Sequence, residues 1–168
     1  MPVQDFGNAF STFIAQNYGA RETGRIRSGL KSAVCISMAF CLVVSALVFI
    51  FARPLMTIFV EAGETEIIQA GVQYLRIEGA FYCGIGCLFL LYGLYRALEK
   101  PGMSVVLTVI SLGTRVALAY LLSAIPAVGV VGFWWSVPIG WFLADMTGLL
   151  YFKIRKNKLL PMEKASIR

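Results

Sequence analysis

The stretch that decides the fold is Ala9–Lys31, AFSTFIAQNYGARETGRIRSGLK. Up to Asn17 it has the spacing of an apolar helix. A Gly just past the last periodic residue is a helix stop signal, so the helix is expected to close at Asn17-Tyr18-Gly19. Arg21, Arg25, Arg27 and Lys31 then crowd one short connection with only Glu22 to offset them. An apolar helix that runs into a basic loop marks the cytoplasmic edge of a membrane-spanning segment.

Composition extends that reading to the whole chain. Of 168 residues, 58% are hydrophobic and 14% charged, with a mean hydropathy of +0.76, outside the range of soluble globular domains. The net charge of +6 does not indicate nucleic acid, because the Lys and Arg side chains are confined to a few connections and the tail between long apolar runs. Cys35, Cys41, Cys83 and Cys87 all lie inside those runs as small hydrophobes. Cys83 and Cys87 share a helix face, but that spacing holds Cβ atoms roughly 5–6 Å apart, too far for a disulfide. With no His, neither a metal centre nor a catalytic set is assignable, and an enzyme is not expected. Met1-Pro2 leading into Gln4 and Asp5 does not have the form of a signal peptide.

Runs of about 20 apolar residues give five expected spans, at 3–18, 32–52, 72–98, 103–124 and 131–153, within a transmembrane region 1–155 followed by a basic cytoplasmic tail 156–168. The first is short, reaching about 24 Å against a ~30 Å hydrocarbon core. The charges between spans alternate. Arg21 to Lys31 are followed by Glu61, Glu64 and Glu66, then by Arg96 and Lys100, then by an uncharged connection at 125–130, and last by Lys153, Arg155, Lys156, Lys158, Lys164 and Arg168. An N-terminus outside and a C-terminus in the cytoplasm satisfy every connection. Thr65 is the expected N-cap of the third helix, and Arg53-Pro54 the end of the second.

Polar residues inside the spans are the candidate functional groups. In the first, Asp5, Asn8, Thr12 and Gln16 form one stripe opposite Phe6, Phe10, Phe13 and Ile14. A polar stripe in a bilayer faces either protein or a solvated cavity, and both readings stand for Asn8, Thr12 and Gln16. Gly79, Cys83, Gly86 and Gly93 make a small-residue seam suited to close helix packing. Arg115 in the fourth span and Asp145 in the fifth lie about 18 Å and about 12 Å from the cytoplasmic ends of their helices. They are expected to form a buried charge pair, as a structural tie or as a proton- or cation-linked switch.

Several of these residues carry a family resemblance. Phe13-Ile14-Ala15-Gln16-Asn17-Tyr18-Gly19-Ala20, followed by Arg25-Ile26 and Gly29-Leu30, resembles the AQNYGA segment of the bacterial multidrug and toxic compound extrusion (MATE) family. Tyr74-Leu75-Arg76-Ile77, Phe81-Tyr82, Tyr95-Arg96-Ala97-Leu98, Gly102, Arg115, Pro138-Ile139 and Trp141 are similar in order and spacing. The resemblance covers nearly the whole chain. It implies an all-α integral membrane fold, a five-helix portion of the second lobe of a twelve-helix transporter, corresponding to helices eight to twelve. It also implies an efflux antiporter of the bacterial plasma membrane that exports organic, often cationic, drugs in exchange for sodium ions or protons by alternating access, with no cofactor. The implied partners are membrane lipids, small organic cations and the N-terminal lobe, with no nucleic acid.

The departures from the family pattern limit what carries over. The first lobe and the seventh helix, with the acidic residues to which coupling is usually assigned, fall outside these residues. FYCGIGCLFLL has no counterpart of the tenth-helix acid of some sodium-coupled members, Ser111-Leu112 stands for Glu-Leu, and Glu99-Lys100 stands for Gln-Gly. No cation ligand is therefore assigned. A lipid-linked saccharide flippase of the same superfamily, which would favour a more basic cavity, and a non-transporting membrane scaffold remain alternatives.

Overall fold

A computed structural model describes residues 1–61, 63–123 and 129–160. These fold as α1 (Pro2–Gly19), α2 (Thr23–Phe59), α3 (Thr65–Ala80), α4 (Tyr82–Ala97), α5 (Pro101–Ser123) and α6 (Gly129–Leu159), with no strand among the described residues. Most of the expected uncharged connection and most of the basic tail, including Lys164 and Arg168, lie outside them.

The helix ends differ from the sequence expectation for local reasons. α1 does not stop at Gly19 through a left-handed glycine. Ala20 remains near-helical and Arg21 takes the left-handed position, with φ 59°, while Glu22 N–H closes the turn on the Asn17 carbonyl at 2.9 Å. The same device ends α4, where Glu99 has φ 57° and Lys100 N–H bonds the Tyr95 carbonyl at 2.9 Å. Thr65 is the first residue of α3; Glu64 holds the cap position and makes no side-chain cap bond.

α2 runs for 37 residues, well beyond 32–52, because a helix continues through the basic turn that an apolar-run count leaves out. Pro54 lacks an N–H and its ring crowds the Ile50 carbonyl, so the chain kinks at Phe51 (φ −98°, ψ 15°) rather than ending at Arg53-Pro54. The long third segment is two helices bent by 49° about Phe81. Ser45 Oγ of α2 donates to the Gly79 carbonyl at 2.5 Å, so a side chain satisfies backbone freed near the bend.

Among the described residues α4 touches every other helix, as befits a segment that is apolar all round. α1 lies on α4 and α2, α2 on α3 and α4, and α5 packs chiefly against α6. Contacts fix the directions. Val3, Gly7 and Asn8 of α1 meet Gly86, Gly93 and Arg96 of α4 in rising order, so these two helices run parallel. Tyr95 and Leu91 of α4 meet Gly148 of α6, and Trp141 meets Gly84, which makes α6 parallel as well. Ser37 and Cys41 of α2 face Gly86 whereas Ser45 and Val48 face Gly79, so α2 runs the opposite way. The basic groups after α1, after α4 and at the end of α6 consequently share one end of the bundle.

The outer surface is apolar. Leu42, Val43, Leu47 and Ile50 of α2 and Val105, Val109 and Val116 of α5 are half or more exposed. α2 and the Pro101–Leu122 part of α5 are each long and apolar enough to cross a membrane, and the bent pair α3 and α4 together makes a third such span. α1 and α6, expected as the first and fifth spans, fall short on that measure. Their polar side chains (Asn8, Gln16 and Asn17; Ser136 and Asp145) dilute the hydropathy.

Candidate functional site

The polar face of α1 is set by how tightly its opposite face is held. A Cβ on Gly7 would lie 2.8 Å from the Phe89 carbonyl oxygen, and one on Gly93 would lie 2.5 Å from the Gly7 carbonyl oxygen. Only glycine lets the two backbones approach so closely. Val3, Phe10 and Ile14 are buried against α4 and its neighbours. On the other side Asn8, Thr12 and Gln16 are all exposed, one above the next.

The three differ in what they touch. Asn8 Oδ1 accepts a hydrogen bond from Arg96 Nη2 at 3.0 Å, across to the end of α4. Thr12 Oγ1 donates to the Asn8 carbonyl at 3.3 Å, within its own helix. Gln16 lines a groove of about 910 Å³ between α1 and α2, walled by Phe6, Phe10, Phe13, Arg25, Ser28 and Ser32 among others. The stripe therefore borders this groove through Gln16, while Asn8 and Thr12 face away from it. Arg96 stands in the sequence as a connection charge and as part of a family motif; its pairing with Asn8 depends on the parallel contact of α1 and α4, which no local pattern reveals.

The expected Arg115–Asp145 pair does not form. Asp145 is 9% exposed, and its Oδ1 has no hydrogen-bond partner. The carboxylate faces α4, where Oδ2 would lie 3.8 Å from a Cβ on Gly84 and Cys87 is its hydrogen-bonding neighbour. Arg115 packs against α6 one and a half turns earlier, with Cγ 2.6 Å from the position of a Cβ on Gly140. Five residues separate Gly140 from Asp145, about 140° around the helix and about 7.5 Å along it, so the two side chains address different neighbours. Depth along the helices placed the charges near one another, but helix rotation separates them. The Arg115 charge is felt instead by Tyr74 and Glu78 of α3, and Glu78 Oε1 is buried without a hydrogen-bond partner.

Tyr95 is a further polar group that the sequence reading used only as a family marker. It is fully buried, and its hydroxyl donates to the Gly148 carbonyl of α6 at 2.6 Å, tying α4 to α6. Its ring meets Tyr151 edge-on at 5.7 Å. Closer to the opposite end, Phe81 and Trp135 meet in the same way at 5.4 Å and Tyr74 approaches Trp134 at 6.0 Å.

Comparison with known proteins places this architecture. An outward-facing multidrug resistance MATE family transporter of the MOP superfamily superposes with a TM-score of 0.84 at 21% identity, covering 93% of this chain and 35% of that one. A MOP superfamily transporter from Pyrococcus furiosus, described by the reversed polarity of its binding pocket, gives 0.86 at 21% identity over 96% and 36%. An inward-facing MATE family transporter gives 0.81 at 21% over 91% and 35%. At these identities the likeness is one of fold, and the chain spans about a third of the length of the structures it matches. No curated protein sequence matches it. The MatE family model, however, matches residues 1–121, most of the 168. With the helices, the apolar outer surface and the superpositions in agreement with that match, this chain belongs to the MatE family of membrane transporters and not to a family of enzymes.

Proposed function

We propose that these helices form the second lobe, helices eight to twelve, of a twelve-helix efflux antiporter. It exports organic, often cationic, drugs in exchange for sodium ions or protons by alternating access. The observation that carries the reading is the open polar face of α1. Asn8, Thr12 and Gln16 are exposed on a helix whose other sides are covered by α2 and α4, and lipid is a poor neighbour for such a stripe. A cleft between this lobe and an N-terminal lobe supplies the water and the polar partners it needs. The likeness of fold to both outward- and inward-facing transporters supports a lobe that rocks as one body.

On this reading α1, α2, the bent pair α3 and α4, α5 and α6 each cross the bilayer. Their shared basic end is cytoplasmic, in a bacterial plasma membrane, with the N-terminus of α1 outside. Gly63→Cys, in the exposed connection between α2 and α3, is expected to react with a membrane-impermeant maleimide added to intact cells. Labelling only after the membrane is permeabilised would reverse the orientation.

Half of a cleft moves nothing, so cells that express only this chain are expected to show no drug efflux above background. Robust cation-dependent export from them would overturn the two-lobe reading. In the two-lobe transporter, Thr12→Leu together with Gln16→Leu is expected to reduce drug export while leaving the amount of protein in the membrane unchanged. Asp145→Asn tests the buried acid of α6, since coupled transport that survives the change would leave Asp145 a packing role only.

A further inference from the structure

The groove between α1 and α2 has a chemistry of its own, distinct from the polar stripe beside it. It holds about 910 Å³ and extends along α1 from Phe6 to beyond Gln16, and along α2 from Arg25 to Ile36. By the rise per residue that is about 15 Å, half of a ~30 Å hydrocarbon core and so the depth of one leaflet. Its two ends differ. Toward the middle of the bundle the walls are Phe6, Phe10 and Ile36; toward the basic end they are Arg25, Ser28 and Ser32, which recur at helical spacing on one face of α2. Arg25 is exposed and forms no ion pair among the described residues; Arg21 precedes it in the connection, and Arg27 and Lys31 follow it in the first turns of α2. The floor is formed where Gly29 leaves room for the Phe13 ring to lie against the α2 backbone.

We propose that this groove is a binding site for one anionic phospholipid of the leaflet at the basic end. Its phosphate is held by Arg25 with the Ser28 hydroxyl, the Ser32 hydroxyl one turn deeper meets the ester level, and an acyl chain lies along the phenyl wall. Along α2 the groove passes from Arg25 to the Ser28 and Ser32 hydroxyls to Ile36, with Phe13, Phe10 and Phe6 of α1 facing them, over about one leaflet depth and in the order in which a lipid presents phosphate, ester and chain. The charge complementarity selects an anionic headgroup over a zwitterionic one. The site requires only that the chain be embedded in a bilayer. It does not depend on which substrate the transporter carries.

The test is lipid binding to the detergent-solubilised chain, measured by native mass spectrometry during titration with dioleoylphosphatidylglycerol and, separately, dioleoylphosphatidylcholine. The unmodified chain is expected to retain one phosphatidylglycerol in preference to phosphatidylcholine. Arg25→Gln is expected to weaken phosphatidylglycerol binding about fivefold, the effect of one surface cation, and to weaken phosphatidylcholine, whose choline cation offsets its phosphate, by less. Ser32→Trp, which fills the groove from an exposed position, is expected to abolish retention of both lipids. Arg155→Gln, on the exposed end of α6, serves as the control and is expected to change neither. An equal loss with Arg155→Gln would show a diffuse charge effect and overturn the site, as would equal binding of the two lipids or full retention by Ser32→Trp. Circular dichroism of each variant identifies misfolding, and Ser28→Ala, expected to weaken binding of both lipids without abolishing it, gives a reading if Ser32→Trp does not fold. A chain that binds lipid in this way but exports no drug would leave the site standing and count only against the transport assignment.

Discussion

α1 and α2 lie side by side and both are largely exposed, yet their exposure has opposite meanings. α2 shows Leu42, Leu47 and Ile50 to its surroundings, whereas α1 shows Asn8, Thr12 and Gln16. In water the first surface would be the anomaly. In a bilayer it is the ordinary one, and the polar surface is the one that needs a partner. Exposure in this fold locates function only when it is read together with polarity. On the proposed reading, α1 faces a cleft and α2 faces lipid.

The largest expected effect tests that contrast directly. Leu47→Asp puts a charge on the lipid face of α2 and is expected to cost about 2.5–3.5 kcal/mol near the midplane, enough to deplete folded protein from the membrane. Thr12→Asp, at a similar exposure on α1 in the two-lobe transporter, is expected to cost less than about 1 kcal/mol because water reaches it. Membrane-fraction yield and thermal unfolding in detergent measure both. Equal losses would make α1 a second lipid-facing helix and remove its claim to the cleft.

The contrast exists only because α1 is clamped with its polar side outward. Gly93→Val places a methyl-bearing Cβ 2.5 Å from the Gly7 carbonyl oxygen, and that atom belongs to backbone that cannot turn aside. The expected loss is about 2–3 kcal/mol, the range of overpacked sites. It should be visible as a lowered unfolding temperature, and the Asn8–Arg96 hydrogen bond should be lost with it. A neutral result would mean that α1 is seated less firmly on α4 than the glycine pair implies.

On the other flank of α4, one of the ties to α6 is the Tyr95 hydroxyl. Tyr95→Phe keeps the ring and its contact with Tyr151 but removes the donor to the Gly148 carbonyl, for an expected loss of about 1 kcal/mol. A change smaller than the error of unfolding measurements would show that the aromatic packing, and not the hydrogen bond, joins α4 to α6.

Legibility in the sequence follows the same division. The apolar runs exposed the helical class and the membrane because lipid imposes its demand on every residue of a span, so the signal is summed over about 20 positions. The Asn8, Thr12 and Gln16 stripe was legible for the same reason, being a period and not a contact. What depended on rotation or on a neighbour was not legible. Arg115 and Asp145 stand at compatible depths, yet α6 turns about 140° between the residue that meets Arg115 and Asp145 itself. The bend at Phe81 splits a run that reads as one span, and the Gly79 carbonyl beside it is bonded by Ser45 of another helix, a contact no local pattern shows. Tyr95 entered the sequence reading only as part of a family motif, and its burial depends on α6, whose Gly148 carbonyl it bonds.

The smallest expected effect concerns the turn that sets α1 against α2. Arg21 sits at φ 59°, where a Cβ-bearing residue is strained by roughly 1–2 kcal/mol, although Gly19 stands only two positions earlier. Arg21→Gly relieves the strain but gives the unfolded chain more freedom, so the backbone terms alone give an expected gain of about 0.5–1 kcal/mol, or about 1–4 °C in unfolding temperature for a chain of this size. Two terms oppose each other here. A cation at a helix C-terminus is itself worth roughly 0.3–1 kcal/mol, and Arg21→Gly gives that up. Glu99→Gly separates them, because it relieves the same backbone strain at φ 57° while removing an anion from the end of α4. Glu99→Gly is therefore expected to gain more than Arg21→Gly. If the order were reversed, the charge at the basic end would matter less than the backbone. The α1–α2 connection would then be held by its turn geometry rather than by the positive cluster that first identified it in the sequence.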